Sequence, residues 1–174
     1  VLLRPQGAGP HHGENRLVLT RPGPARRLLV LLPLAVCLLS FLAFLPALQA
    51  GFVNWDDTAN LLNNPHFRGL GWPQLRWMLT STLMGHYIPL TWLSLGVNYA
   101  LGGMHPWGYH LGNLLLHAAS AGVFYFVARR LLAAGFAARD LSIALGAALA
   151  ALVFGVHPLR AESVAWVTER RDVL

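Results

Sequence analysis

Residues 108–128, GYHLGNLLLHAASAGVFYFVA, run for 21 positions without a charge and are followed directly by Arg129 and Arg130. At 1.5 Å per residue a helix of that length covers about 30 Å, the thickness of a bilayer's hydrocarbon core. Length, lack of charge and the basic flank together predict a membrane-crossing helix. Residues 28–48 (LLVLLPLAVCLLSFLAFLPAL) form another uncharged run of 21, preceded by Arg21, Arg26 and Arg27. Residues 141–156 (LSIALGAALAALVFGV) form a third, shorter run, rich in the small residues that let helices pack closely. A cleaved signal peptide competes for 28–48, but the run is too long for a typical signal core and no small-x-small cleavage site is convincing. The predicted fold class is all-α, a polytopic membrane helical bundle.

Composition agrees with that reading: 55% of the 174 residues are hydrophobic and 11% charged, too apolar a balance for an ordinary soluble domain of this size. All 13 basic residues are arginine, an abundance of alanine, glycine, leucine and proline accompanies them, and the bias points to a GC-rich bacterial genome. The arginines stand singly or in pairs, with no stripe to track phosphates, so no nucleic-acid partner is expected despite a net charge of +6. Cys37 lies inside an apolar run, cannot form an internal disulfide, and reads as a packed or lipid-facing residue. Residues 1–27 mix proline, glycine and arginine without a hydrophobic period and read as a disordered cytoplasmic tail, in which His11 and His12 have no metal-binding companions. The remainder, 28–174, reads as a partial transmembrane domain. A first residue that is valine and a last residue, Leu174, where a new apolar stretch opens lead to the expectation of a fragment of a longer protein.

The side assigned to each connection depends on Ile88–Gly103 (IPLTWLSLGVNYALGG), which at 16 residues with three glycines is short and polar for a crossing. If it lies along the membrane, 51–107 is one long outer loop, 129–140 is cytoplasmic and 157–172 returns to the outer face. If it spans, the last two exchange sides. Arginine counts do not separate these arrangements: the first puts eight inside (Arg4, Arg16, Arg21, Arg26, Arg27, Arg129, Arg130, Arg139) and five outside (Arg68, Arg76, Arg160, Arg170, Arg171), and the second gives the same tally. Tryptophan favours the first, which brings all six (Trp55, Trp72, Trp77, Trp92, Trp107, Trp166) to the outer side or its interface. Within the loop, Trp72, Leu75, Met78 and Leu79 have the spacing of an amphipathic helix lying on the membrane.

Three constellations carry possible chemistry. Asp56 and Asp57, in FVNWDDT immediately after the first span, are adjacent carboxylates near a low-dielectric boundary, a pairing that suits a general base or acid. The competing reading is a helix cap for Thr58–Leu62. His157, Arg160 and Glu162, in HPLRAESVAW, combine a guanidinium fork suited to phosphate with an acid, or else form a helix end with a local Arg160–Glu162 pair. His110, Asn113 and His117 fall at i, i+3 and i+7, on one face of the span that contains them, and either line a functional path or join helices by hydrogen bonds. His86 is a further candidate, with His110 and Asn113, for contact with the donor phosphate or substrate, although an interfacial histidine is the simpler reading. No phosphate-binding glycine loop, zinc-type CxxC or nucleophile elbow occurs. No cofactor is expected, and a divalent metal, though compatible with the acids, is not called for.

Five motifs in order, FVNWDD, NPHFRGLGW, GHYIPLTWLSL, HPWGYHLGNLLLHAAS and HPLRAESVAWVTERRDVL, resemble the amino-terminal membrane part of the transmembrane and tetratricopeptide-repeat protein family. The resemblance covers about residues 51–174. That family is similar to the GT-C class of glycosyltransferases, the class of protein O-mannosyltransferases. The resemblance implies a polyprenyl-phosphate sugar donor, a protein or glycan hydroxyl acceptor, and an active face on the outer side of the membrane, here the periplasmic face of a bacterial inner membrane. It implies that Asp56 or Asp57 takes the proton of the attacking hydroxyl, that Arg160 and His157 steady the departing phosphate, and that Glu162 orients donor or acceptor. The repeats of such proteins are expected beyond Leu174, since no 34-residue period occurs in the chain. The alternatives are a non-catalytic membrane anchor for a repeat scaffold and, third, a transporter lined by His110, Asn113 and His117.

Overall fold

The computed structural model describes residues 24–174, with side chains from Arg27 onward. Most of the expected tail, with His11 and His12, lies outside the described residues. Its last four positions, 24–27, open the first helix instead.

That helix, α1 (Pro24–Ala43), stops five residues short of the apolar run's end at 48, and a 3₁₀ turn (Leu45–Gln49) follows. Pro46 explains the break: it lacks an N–H, and its ring steers Leu45 out of the α conformation. The helix α2 covers Trp72–Thr80, α3 Pro89–Gly102, α4 Pro106–Gly135, α5 Asp140–Val156, α6 Arg160–Ala165 and α7 Arg170–Val173. Strands are absent among the described residues, so the all-α expectation stands. The helix α4 begins at Pro106, where a missing N–H would be unpaired anyway, and its 30 residues extend about 45 Å. Asp140, in the first turn of α5, complements that helix's dipole and binds Arg129 of α4 at 2.7 Å, closing the short connection between them. Among the described residues α4 is the one helix both long and apolar enough to cross a membrane, while α1 and α5 are apolar but shorter.

The helices α1, α4 and α5 pack against one another around a core of small residues: Ala121, Ala147, Ala148 and Ala151, with Val36 and Tyr125. The large apolar side chains face outward instead, with Leu34, Leu38, Val123 and Leu149 all more than half exposed. A protein in water buries such groups, and an apolar surface of this extent marks contact with another apolar medium or partner. The closest approach is at Gly155, where an added Cβ would lie 2.1 Å from Ser40 Oγ, 3.1 Å from Ser40 Cβ and 3.2 Å from Ala121 Cβ. Gly155→Ala is expected to destabilise the bundle by about 1–3 kcal/mol, the range for overpacking a tight core. Thermal unfolding in detergent measures it. Ser40→Ala should rescue the variant only in part, because the Cβ of residue 40 remains in the way.

Residues 51–107 fold into a second layer with its own core: Leu61, Phe67, Met78, Trp92 and Leu95, joined by Tyr109 from α4 and Val167 from the carboxyl-terminal segment. A five-residue π-helical turn (Thr58–Leu62) opens this layer, and Arg68 Nη2 donates to the carbonyls of Leu61 and Leu62 at its end, at 3.2 and 2.6 Å. The expected amphipathic helix forms as α2, but its apolar residues are divided. Met78 is buried and Leu75 and Trp77 pack on the layer's core, while Trp72 and Leu79 point away from it. At 14 residues α3 reaches about 21 Å, short of a bilayer's hydrocarbon core, and it packs on α2 and α4. The short helices α6 and α7 carry the chain back onto α4, bringing its last turns beside the first residues of the loop.

Candidate active site

The two adjacent aspartates have different surroundings. Asp57 is fully buried and accepts three hydrogen bonds, from Val53 N–H at 2.8 Å and from the Thr168 N–H and hydroxyl at 3.0 and 2.5 Å. It joins the start of the 51–107 layer to a segment 111 positions further along the chain. The helix-cap reading is thereby corrected: the Asp57 side chain makes no cap bond to the π-helical turn, because both of its oxygens are engaged by Val53 and Thr168. Asp56 is half-buried and lines a cavity of about 20 Å³ together with Asn60, His86, Thr168 and Arg171. That volume holds about one water, or one hydroxyl group of a larger molecule. The exposed His86 comes to this cavity through a tight turn in which Leu83 and His86 exchange backbone hydrogen bonds at 2.9 and 3.1 Å. Met84 and Gly85 form the bend with φ of +49° and +81°. Glycine suits such a conformation, and methionine there is uncommon.

The carboxyl-terminal segment that supplies Thr168 and Arg171 is held on its inner side by Arg170. This guanidinium is 1% exposed; its Nε donates to Asn113 Oδ1 at 2.7 Å, its Nη1 to Asn98 Oδ1 and Ser94, and its Nη2 to the Tyr109 carbonyl at 2.6 Å. Among the described residues no carboxylate meets it within ion-pair distance. Burial pushes its pKa down to about 10, an effect opposed by Tyr109, and the group stays charged at neutral pH. Space for it comes from Gly112, where a Cβ would lie 2.8 Å from Arg170 Nη2 and 2.9 Å from Asn98 Oδ1. Arg170→Met is expected to lower stability by about 1–3 kcal/mol, as the Asn113, Asn98 and Tyr109 acceptors lose their donor while an expensive buried charge is removed. Chemical denaturation in detergent gives the value.

The polar stripe lies on one buried face of α4, and each member is engaged by a different part of the fold. His110 Nε2 donates to the Gly51 carbonyl at 3.3 Å, and His117 Nε2 to the Gly155 carbonyl at 2.8 Å. Asn113 donates to the Val164 and Trp166 carbonyls at 3.2 and 3.1 Å and accepts from Arg170. These bonds fix the loop start, the α6–α7 segment and the end of α5 to one helix. Such connections favour helix joining over a path for a transported solute.

The HPLRAES residues do not gather at Asp56. His157 is exposed and accepts from the Leu159 N–H at 3.2 Å through Nδ1, and the Arg160 guanidinium lies over the Phe154 ring at 4.4 Å. Glu162 stands on the wall of a separate apolar groove of about 630 Å³, formed by Val53, Trp55, Ala161, Ala165 and Trp166 among others. The reason is the course of the backbone: α6 intervenes, and it is the turn after it that reaches the cavity. Sequence reasoning singled out none of Thr168, Glu169, Arg170 and Arg171. The signal present was TERRD, five polar residues in a chain with few charges. Among the described residues no three His, Cys, Asp or Glu side chains converge where a metal could be held.

An all-helical chain with an apolar bundle and an acidic junction between its first loop and its carboxyl-terminal segment can be set beside known proteins. It is 39% identical over 147 residues to Drosophila melanogaster protein O-mannosyl-transferase Tmtc2, a match covering 79% of this chain and 14% of that protein. It is 34% identical over 137 residues to the mouse protein O-mannosyl-transferase TMTC2, covering 75% and 15%. Against mouse protein O-mannosyl-transferase TMTC4 the identity is 34% over 154 residues, covering 81% and 21%. The chain is thus homologous, over three quarters of its length or more, to proteins named as O-mannosyl-transferases, and spans about a fifth or less of their length. No family model and no solved structure matches it.

Proposed function

We propose that the chain is the amino-terminal membrane part of a GT-C-type glycosyltransferase that moves mannose, or a similar sugar, from a polyprenyl-phosphate donor to a hydroxyl of a protein acceptor. The observation that carries this is the division of labour between the two aspartates. Asp57 has both oxygens occupied and positions the loop, leaving Asp56 as the carboxylate at a cavity sized for one hydroxyl. In the proposed step the acceptor hydroxyl gives its proton to Asp56 as its oxygen bonds to the anomeric carbon. The bond from that carbon to the phosphate oxygen breaks, and its electron pair leaves on the polyprenyl phosphate.

The helices α1, α4 and α5 cross the membrane in this reading, presenting their large apolar side chains to lipid, and the layer 51–107 rests on the outer face, with α3 packed on α2 and α4 without crossing. In a bacterium that face is periplasmic. The apolar groove beside Val53 and Trp166 suits the hydrocarbon chain of the donor. Polyprenyl-phosphate mannose incubated with the full-length protein and a serine- and threonine-bearing acceptor is the test. Acceptor mannosylation is expected, whereas a protein that neither binds the donor nor transfers the sugar acts as the membrane anchor of a scaffold.

A further inference from the structure

We propose that Arg171 is the phosphate-binding residue of the Asp56 cavity, held at rest by Glu169 and released to a prenyl phosphate when that ligand enters. The inference rests on the transferase reading and adds to it which cation meets the anion and what competes for it.

Arg171 meets Glu169 through two nitrogens, Nη2 to Oε1 at 2.7 Å and Nε to Oε2 at 3.3 Å, in the forked geometry a guanidinium also offers to two phosphate oxygens. The Glu169 carboxylate therefore occupies the position of the anion. The Arg171 side chain is 29% exposed and so open to a ligand, while the Glu169 side chain is 11% exposed, so an incoming anion has to take the carboxylate's place at the guanidinium rather than find it free. Arg171 lines the same cavity as Asp56, whereas the alternatives are committed elsewhere: Arg170 is buried in its own network and Arg160 lies on Phe154.

The segment is held before the pair by Asp57 at the Thr168 backbone and between its two members by the buried Arg170 side chain, so an exchange at Arg171 needs only its side chain to move. A closed cavity of about 20 Å³ has no room for a sugar, and opening it requires that the groups around it separate. Moving the Arg171 side chain off Glu169 shifts one wall of the cavity and frees the cation together. Charge supplies the direction: a glycosyl phosphodiester carries about one negative charge, and the monoester released by transfer carries nearer two. Arg171 thus gains attraction as the bond breaks, the condition for stabilising a transition state over the bound substrate.

The test is binding by the full-length protein of three probes: farnesyl phosphate, farnesol and inorganic phosphate. Arg171→Gln is expected to weaken farnesyl phosphate about tenfold or more, the value of a charged hydrogen bond, and to leave farnesol unchanged. Glu169→Gln is expected to tighten farnesyl phosphate several-fold, since the competing carboxylate is gone. Farnesyl phosphate is expected to bind more tightly than inorganic phosphate, because the groove beside Val53 shares the Asp57 junction with the cavity. Unchanged farnesyl phosphate affinity in Arg171→Gln, or a Glu169→Gln variant weakened as much as Arg171→Gln, overturns the proposal. Equal affinity for farnesyl phosphate and inorganic phosphate overturns its lipid-linked ligand. Arg171→Lys, which keeps the charge and loses the fork, replaces Arg171→Gln if that variant does not fold, and is expected to bind with intermediate affinity. Sugar transfer that persists in wild type while Arg171→Gln binds normally separates failure of this assignment from failure of the transferase reading.

Discussion

Full-length protein carrying Asp57→Ala is expected to lose roughly 3–5 kcal/mol of stability, enough to prevent folding in a protein of ordinary margin. The substitution deprives three donors at once, Val53 N–H, Thr168 N–H and the Thr168 hydroxyl, at a site with no solvent to replace the carboxylate. Each buried group left without a partner costs about 1–3 kcal/mol. Two milder variants should fall in order behind it. Asp57→Asn keeps one acceptor oxygen but sets an amide N–H₂ against a donor. Thr168→Val removes only the hydroxyl bond, worth about 1 kcal/mol. Midpoints of denaturation in detergent rank the three, and Asp57→Ala matching wild type would mean that the junction does not hold the loop to the carboxyl-terminal segment.

That junction explains why the site was only partly legible in the sequence. Uncharged runs revealed α5 to within one residue and the start of α4 to within two, because hydrophobic length requires nothing from elsewhere in the chain. The helix α4 nonetheless continues past Arg129 and Arg130 to Gly135, seven residues beyond the expected end. The end of α1 at Ala43 was missed although Pro46 was visible, since apolarity continues through the break while backbone geometry does not. The pair Asp56 and Asp57 stood out, but which one is engaged depends on Thr168, 111 positions away, and no local pattern encodes that contact. The spacing of His110, Asn113 and His117 put them on one face correctly, yet their partners, carbonyls of Gly51, Val164, Trp166 and Gly155, belong to the backbone, which carries no sequence signal. Arg160 drew attention because a histidine and an acid stood near it. Arg171 sits in an unremarkable charged pentapeptide and reaches the Asp56 cavity only because α6 turns the chain.

Asp56→Asn removes a proton acceptor and keeps the shape of the side chain. Half-buried beside a cavity already open to Asn60 and Thr168, an amide should be tolerated, with a thermal midpoint close to wild type. Its effect falls on the chemical step: general-base assistance is worth about 10²–10⁴ in rate. In the proposed step the carboxylate acts on the acceptor proton and Arg171 on the phosphate, so donor affinity is expected to stay near wild type while kcat falls. The decisive measurement is therefore kcat for mannose transfer at saturating donor, in full-length wild type and Asp56→Asn, with folding verified for both. A fall of about 10²–10⁴ without loss of stability is the predicted result. A folded Asp56→Asn protein that transfers mannose at the wild-type rate contradicts the assignment of Asp56 as the base.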